Sequence, residues 1–299
     1  DYYVEELQAL VGALQLPAFH FLGNSWGTIV GQAYGFKQDP RLRGIVLSGP
    51  ISDAQLYIQS QWDLRTGSLG SLPLYMQHLI RQLEASHAYD SPLYAAEDAV
   101  LGTYFTSRTT PTPDCLAKSV SRLGINTSKA IYVGMQGASE FTIGGVLASL
   151  NFTGRLPQIS NPVLLTHGKY DTMRPPTVDA LYMNLPRSWK ALMPHSGHAS
   201  MLDDPKLMND VVGEFFDRVE AGGLQHFDAW IYESVAGSDG GANAVFSAVL
   251  PSSSQVVLLF GSCARSVLLL AVGAAAGAIL GPRRFPHCSP ISASASDLD

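Results

Sequence analysis

The sequence is most constrained at Gly23-Asn24-Ser25-Trp26-Gly27. An apolar run, Phe19 to Leu22, precedes it and predicts a short buried strand. Thr28 to Gly35 follows and predicts a helix with a face of small residues. A chain that passes from strand to helix within five residues must turn sharply. Side chains at the first and last of those positions would strike the neighbouring strand or helix, and glycine stands at both. The turn lifts the Ser25 hydroxyl clear of the sheet. It also aims the first N–H groups of the helix at the space beside that hydroxyl, where negative charge can be held.

The flanking segments predict a parallel sheet covered by helices, an α/β class. Val4, Leu7, Leu10, Val11 and Leu14 recur at helical spacing, and Leu16-Pro17 ends that helix. Gly44 to Pro50 is an apolar run closed by Gly-Pro, as expected of a strand buried on both faces. Alternation then stops. Residues 51–156 carry helical periodicity and turn residues without a convincing strand, which predicts a helical cap inserted into the sheet domain. Alternation returns with a strand near Pro162–Gly168, a helix near 177–184, a short strand at Trp189–Met193 and an amphipathic helix over 206–220. The predicted organisation is 1–50 and 157–222 as sheet domain, 51–156 as cap, and 223–299 as a separate tail.

Composition narrows the function classes. The net charge of −6 gives no basic footprint for nucleic acid. Three scattered cysteines, Cys115, Cys263 and Cys288, form neither a disulfide framework nor a zinc spacing, which fits a reducing, cytoplasmic compartment. No metal or cofactor is implied. The chain opens at Asp1 inside a predicted helix, which reads as an incomplete amino end. In the tail, 235–254 is rich in Gly, Ala and Ser and reads as a linker. The length of apolar 256–280 suits a membrane helix, but Arg265 near its middle opposes one, because a charge there is costly. A structureless tail is the slightly stronger reading, with membrane association through 256–280 as the competitor.

A serine hydroxyl is a poor nucleophile at neutral pH, and needs a histidine base whose tautomer is fixed by a carboxylate. The sequence supplies these in the order Ser25, Asp171, His198, each in a loop after a predicted strand, where open α/β sheets place their sites. Asp179 is an alternative acid and His195 an alternative base. His20 and His167 fall within or beside strands and read as core histidines, and Asp203 and Asp204 as caps of the last helix. The Trp26 N–H supplies one oxyanion donor, and no second donor is evident before Ser25.

These residues resemble the α/β-hydrolase fold and, more narrowly, the proline iminopeptidase family, which includes the tricorn-interacting aminopeptidase. The resemblance runs from about Asp1 to Val219. It rests on Tyr3-Val4-Glu5-Glu6-Leu7, Gly23–Gly27, Met135-Gln136-Gly137-Ala138-Ser139-Glu140-Phe141-Thr142-Ile143, Gly168-Lys169-Tyr170-Asp171 and Ser196-Gly197-His198. It implies a serine exopeptidase that releases an N-terminal residue, often proline, from short peptides. Ser25 is then nucleophile, Asp171 orienter and His198 base, and Glu140 holds the substrate's α-ammonium. Two departures stand out. Thr172 occupies the place of a second acid after Asp171, and the early Gly-rich oxyanion loop of the family has no counterpart. An amino-acid amidase or esterase with the same three residues, and an inactive remnant, are the alternatives. Preferred residue and oligomeric state are not legible in the sequence.

Overall fold

The computed structural model describes residues 2–114, 116–118, 125–139, 141–222, 256–262 and 266–272. Among the described residues six strands form one sheet: β1 (Phe19–Asn24), β2 (Leu42–Ser48), β3 (Val163–Gly168), β4 (Ser188–Met193), β5 (Val256–Ser262) and β6 (Ser266–Val272), in the order β4-β3-β2-β1-β5-β6. The first four strands are parallel to their neighbours, as the alternation of strand and helix requires.

Period-two alternation along the strands builds a core on each face. Phe21, Ile45, Leu47, Val163 and Leu165 face one side. There they pack with Val4, Leu7 and Val11 of α1 (Tyr2–Ala13) and Val30 and Tyr34 of α2 (Trp26–Gly35). Val178 and Leu181 of α7 (Pro175–Asn184) complete that layer. Leu22, Val46 and Leu164 face the other side, against Met208, Val211, Val212, Phe215 and Phe216 of α9 (Pro205–Glu220). Edge strand β4 has the weaker alternating burial expected of a strand with one free side.

Between β2 and β3 lie α3 (Ala54–Gln61), α4 (Leu74–Ala85), α5 (Pro92–Leu101), a π-turn over Gly102–Thr106 and α6 (Ile125–Gln136). This insertion has a core of its own, with Leu69, Met76, Ile80, Tyr94, Leu101 and Phe141. A smaller cluster of Ile29, Ile51, Tyr57, Ile143, Leu150 and Met173 fastens it to the sheet domain. The fold class is therefore that expected from the sequence: a mostly parallel α/β sheet interrupted by helices.

The apolar stretch at 256–280 departs from both readings above, the structureless tail and the helical span. Its described parts are strands: β5 runs parallel to β1, with Phe260 level with Asn24, and β6 returns antiparallel. Among the described residues no helix is long and apolar enough to cross a membrane. Two physical causes favour strand over helix. Val256, Val257, Val267 and Val272 are β-branched, and the N–H and C=O groups of β1 require partners on the side away from β2. The expected linker at 235–254 and the residues from 273 onward lie outside the described residues, as do all three cysteines.

One buried histidine couples this fold to pH. His20 in β1 is fully buried, its ring 4.3 Å from that of Phe216 and its Nε2 2.8 Å from Glu220 Oε1. Burial pushes its pKa below the ordinary value, more than the Glu220 carboxylate raises it. The unfolded chain therefore binds this proton more readily, and stability falls as pH drops through and below about 6.5. Thermal unfolding followed across that range is expected to show the loss, and His20→Gln to reduce its slope. An unchanged slope in the variant would contradict the assignment.

Candidate active site

Loops at the carboxyl ends of β1, β3 and β4 meet at one place. Ser25 follows β1 with φ 55° and ψ −120°, a sparsely populated conformation that costs a residue bearing a Cβ roughly 1–3 kcal/mol. Close contact keeps the turn from opening. A Cβ on Gly23 would lie 2.3 Å from the Gly27 carbonyl oxygen, and one on Gly31 would lie 2.4 Å from the Phe21 ring. Hydrogen bonds then fix the serine. Its N–H donates to the Ser48 carbonyl (2.9 Å), and its own carbonyl accepts from the N–H (2.9 Å) and hydroxyl (2.6 Å) of Thr28. Gln32 Nε2 donates to the Ile51 carbonyl at 2.8 Å, tying α2 to the chain beyond β2. Trp26 begins α2, so its N–H belongs to the orphan donors of the first turn. Its ring meets Tyr3 edge-on at 4.5 Å.

Asp171 and His198 form a buried pair. Nδ1 of His198 lies 2.7 Å from Asp171 Oδ1, and the two side chains are 1% and 0% exposed. The same oxygen accepts the Met173 N–H at 2.8 Å. A carboxylate oxygen beside Nδ1 can accept the ring proton there, which orients the imidazole and fixes its tautomer. Arg174 braces the loop carrying Asp171. Its guanidinium donates to the carbonyls of Asp171 (2.9 Å) and Lys169 (3.3 Å), and also to that of Thr66 in the insertion.

Two residues that sequence reasoning passed over join these loops. Asn24 Nδ2 donates to the Ser48 carbonyl (3.1 Å) and to the His198 carbonyl (3.3 Å), linking the β1 turn, the end of β2 and the base loop. Gly49, just after β2, has φ +57°. A Cβ there would lie 2.6 Å from both Cε1 and Nδ1 of His198, and 3.1 Å from Asp171 Oδ2. Glycine is thus required at 49 for the imidazole to occupy its place. The Gly49-Pro50 pair at the close of a buried strand was the available signal.

The competing assignments fall elsewhere. His195 is exposed, whereas His198 is buried. Asp179 pairs with Lys190 at 2.7 Å. His20 is buried in β1, and burial lowers the pKa of His167 in β3. Asp204 accepts the Leu207 N–H at 3.1 Å and caps α9 as expected. Asp203 does not cap that helix. Its carboxylate instead receives N–H groups of Gly197 (2.8 Å), Arg108 (2.8 Å) and Thr109 (2.9 Å), because the chain turns through α8 (Ser200–Asp203) and presents it to the base loop.

Glu140 lies outside the described residues. Its neighbours are fixed: Ser139 Oγ donates to Glu84 Oε1 (2.7 Å) and accepts the N–H groups of Phe141 (3.0 Å) and Thr142 (3.1 Å). Phe141 and Thr142 line a cavity of about 600 Å³ in the insertion, with Ile58, Trp62, Arg81 and Glu84. Thr172, in the place of a second acid, is buried, and its hydroxyl has no hydrogen-bond partner among the described residues.

Comparison with known proteins gives the family. The family model described as the alpha/beta hydrolase fold matches residues 1–205. Over 219 residues the chain is 32% identical to the proline iminopeptidase of Heyndrickxia coagulans, covering 73% of this chain and 74% of that one. The proline iminopeptidase of Flavobacterium johnsoniae is 29% identical, over 73% of this chain and 72% of the relative. Among solved structures, that of the Mycobacterium smegmatis proline iminopeptidase superimposes with a TM-score of 0.67 at 26% identity, covering 73% of this chain and 71% of that one. The chain therefore belongs to the α/β-hydrolase family and, within it, to the proline iminopeptidase family of serine aminopeptidases.

Proposed function

We propose that the chain releases the N-terminal residue, proline or another small apolar residue, from short peptides through a covalent acyl-enzyme. The observation that carries this reading is the buried 2.7 Å hydrogen bond between Asp171 and His198 beside the strained serine turn. A carboxylate and an imidazole taken from water together, with Gly49 leaving room for the ring, have no evident structural use that an apolar pair would not serve better.

In the proposed reaction the Ser25 oxygen attacks the carbonyl carbon of the first residue while its proton passes to His198 Nε2. The carbonyl oxygen becomes an oxyanion, held by the Trp26 N–H at the start of α2. Collapse breaks the C–N bond, and His198 gives its proton to the departing amine. Water then attacks the Ser25 ester, yields a proton to His198, and releases the free amino acid as the serine is reprotonated. Asp171 stays ionised and stabilises the imidazolium of both steps. Glu140 pairs with the substrate's α-ammonium, a role that rests on its sequence segment, and the neighbouring cavity has room for the first residue.

The names of the relatives support proline as the released residue. Hydrolysis of a prolyl or alanyl naphthylamide is expected to vanish in Ser25→Ala, and undiminished turnover would sink the serine mechanism. An N-acetylated substrate is expected to be cleaved at least about 100-fold more slowly, as befits loss of a charge-assisted contact of ~3 kcal/mol. Equal rates would exclude the ammonium pocket and leave an amidase or esterase. Gly49→Ala is expected to lower kcat about 10- to 100-fold through displacement of the His198 ring, with KM little changed. Wild-type kcat in that variant would contradict the packing described.

A further inference from the structure

The loop carrying His198 is held by the helical insertion as well as by its own strand. The His198 N–H donates to the Phe105 carbonyl and the Ala199 N–H to the Thr106 carbonyl, both at 2.8 Å. Phe105 and Thr106 belong to the π-turn that ends α5, a distortion often found at functional sites. The approach is close enough that a Cβ on Gly197 would lie 2.7 Å from the Phe105 carbonyl oxygen. Asp203 completes the junction. Its Oδ1 accepts the N–H groups of Arg108 (2.8 Å) and Thr109 (2.9 Å), with the hydroxyls of Thr109 (2.9 Å) and Ser107 (3.3 Å) in reach. Its Oδ2 accepts the Gly197 N–H at 2.8 Å. The Arg108 guanidinium, in turn, stacks over the ring of Tyr170, next to Asp171, at 3.9 Å.

We propose that Asp203 is a positioning residue, locking the His198 loop onto the strap Phe105–Thr109 so that the insertion sets where the imidazole stands. The inference rests on the reading of His198 as the base. One carboxylate gathers N–H groups from two chain segments that no strand pairing joins. Charge strengthens such bonds, and their shared acceptor makes the two segments move together. Without the carboxylate, the Gly197, Arg108 and Thr109 N–H groups lose a common partner, and the residue following Gly197 is His198 itself. An imidazole displaced by about 1 Å can cost about 10²-fold in rate while leaving substrate binding largely intact.

The test uses the full chain carrying Asp203→Ala, Asp203→Asn or Asp204→Ala. Asp204→Ala serves as control, because it removes the α9 cap but touches neither the base loop nor the strap. Three readouts are taken at a temperature where circular dichroism shows all variants folded: kcat, KM, and the rate at which a fluorophosphonate labels Ser25. Asp203→Ala is expected to lower kcat and the labelling rate together by about 10- to 100-fold, with KM within about twofold. Asp203→Asn, which keeps one acceptor oxygen, is expected to lose less, and Asp204→Ala to keep wild-type kcat. Should Asp203→Ala not fold, the same split in Asp203→Asn decides. Wild-type kcat in the Asp203 variants, or equal losses in the Asp203 and Asp204 variants, would overturn the proposal. If Ser25→Ala also abolishes turnover, such a failure falls on Asp203 alone; if Ser25→Ala retains turnover, the underlying mechanism fails instead.

Discussion

A serine does not rest at φ 55° by preference. The surroundings must over-determine that conformation, and here they do so by contact distance. Strand β1 and helix α2 approach until backbone meets backbone at Gly23 and Gly27, and until the Phe21 ring fills the space a side chain at position 31 would need. The strain of ~1–3 kcal/mol is offset by bonds from the Ser25 N–H to Ser48 and from Thr28 to the Ser25 carbonyl. Relaxing the turn would break these and unpack the buried helix behind it. The hydroxyl's place is therefore set by the core.

The same constraint organises the rest of the site. Ser48 ends β2, and its carbonyl receives both the Ser25 N–H and the Asn24 amide. The next residue, Gly49, clears room for the imidazole, and Asn24 reaches the His198 carbonyl. The turn, the β2 terminus and the base loop thus share hydrogen bonds and cannot shift independently. The insertion supplies the other half of the frame, through Arg174 to Thr66 on the acid side and through Phe105–Thr109 on the base side. The helical insertion that lines the cavity at Trp62, Arg81 and Phe141 thus also holds the loops carrying Asp171 and His198.

Much of this was legible in the sequence, for identifiable reasons. Strands β1 to β3 are largely apolar runs because both faces of the sheet are covered, and Ser25 and Asp171 follow two of them, whereas His198 follows the alternating edge strand β4. The insertion was legible because alternation stopped and restarted. What was missed has physical causes as well. Asp203 and Asp204 are adjacent carboxylates before a helix, and propensity assigns both to capping; only the path of the chain through α8 separates them. Asn24 occupies a variable position of a short motif, and its bonds are to carbonyls distant in sequence. Residues 256–262 and 266–272 are apolar runs without periodicity, a pattern that helix and strand share, so the free side of β1 settled what the sequence left open.

The proposed mechanism stands or falls on acylation of Ser25. Mass spectrometry of the full chain, quenched during turnover of a prolyl ester and then digested, looks for that ester. A prolyl adduct is expected on the peptide containing Ser25, absent when His198 is replaced by alanine. An adduct on another residue, or turnover with no adduct under conditions where deacylation is slowed, would contradict it.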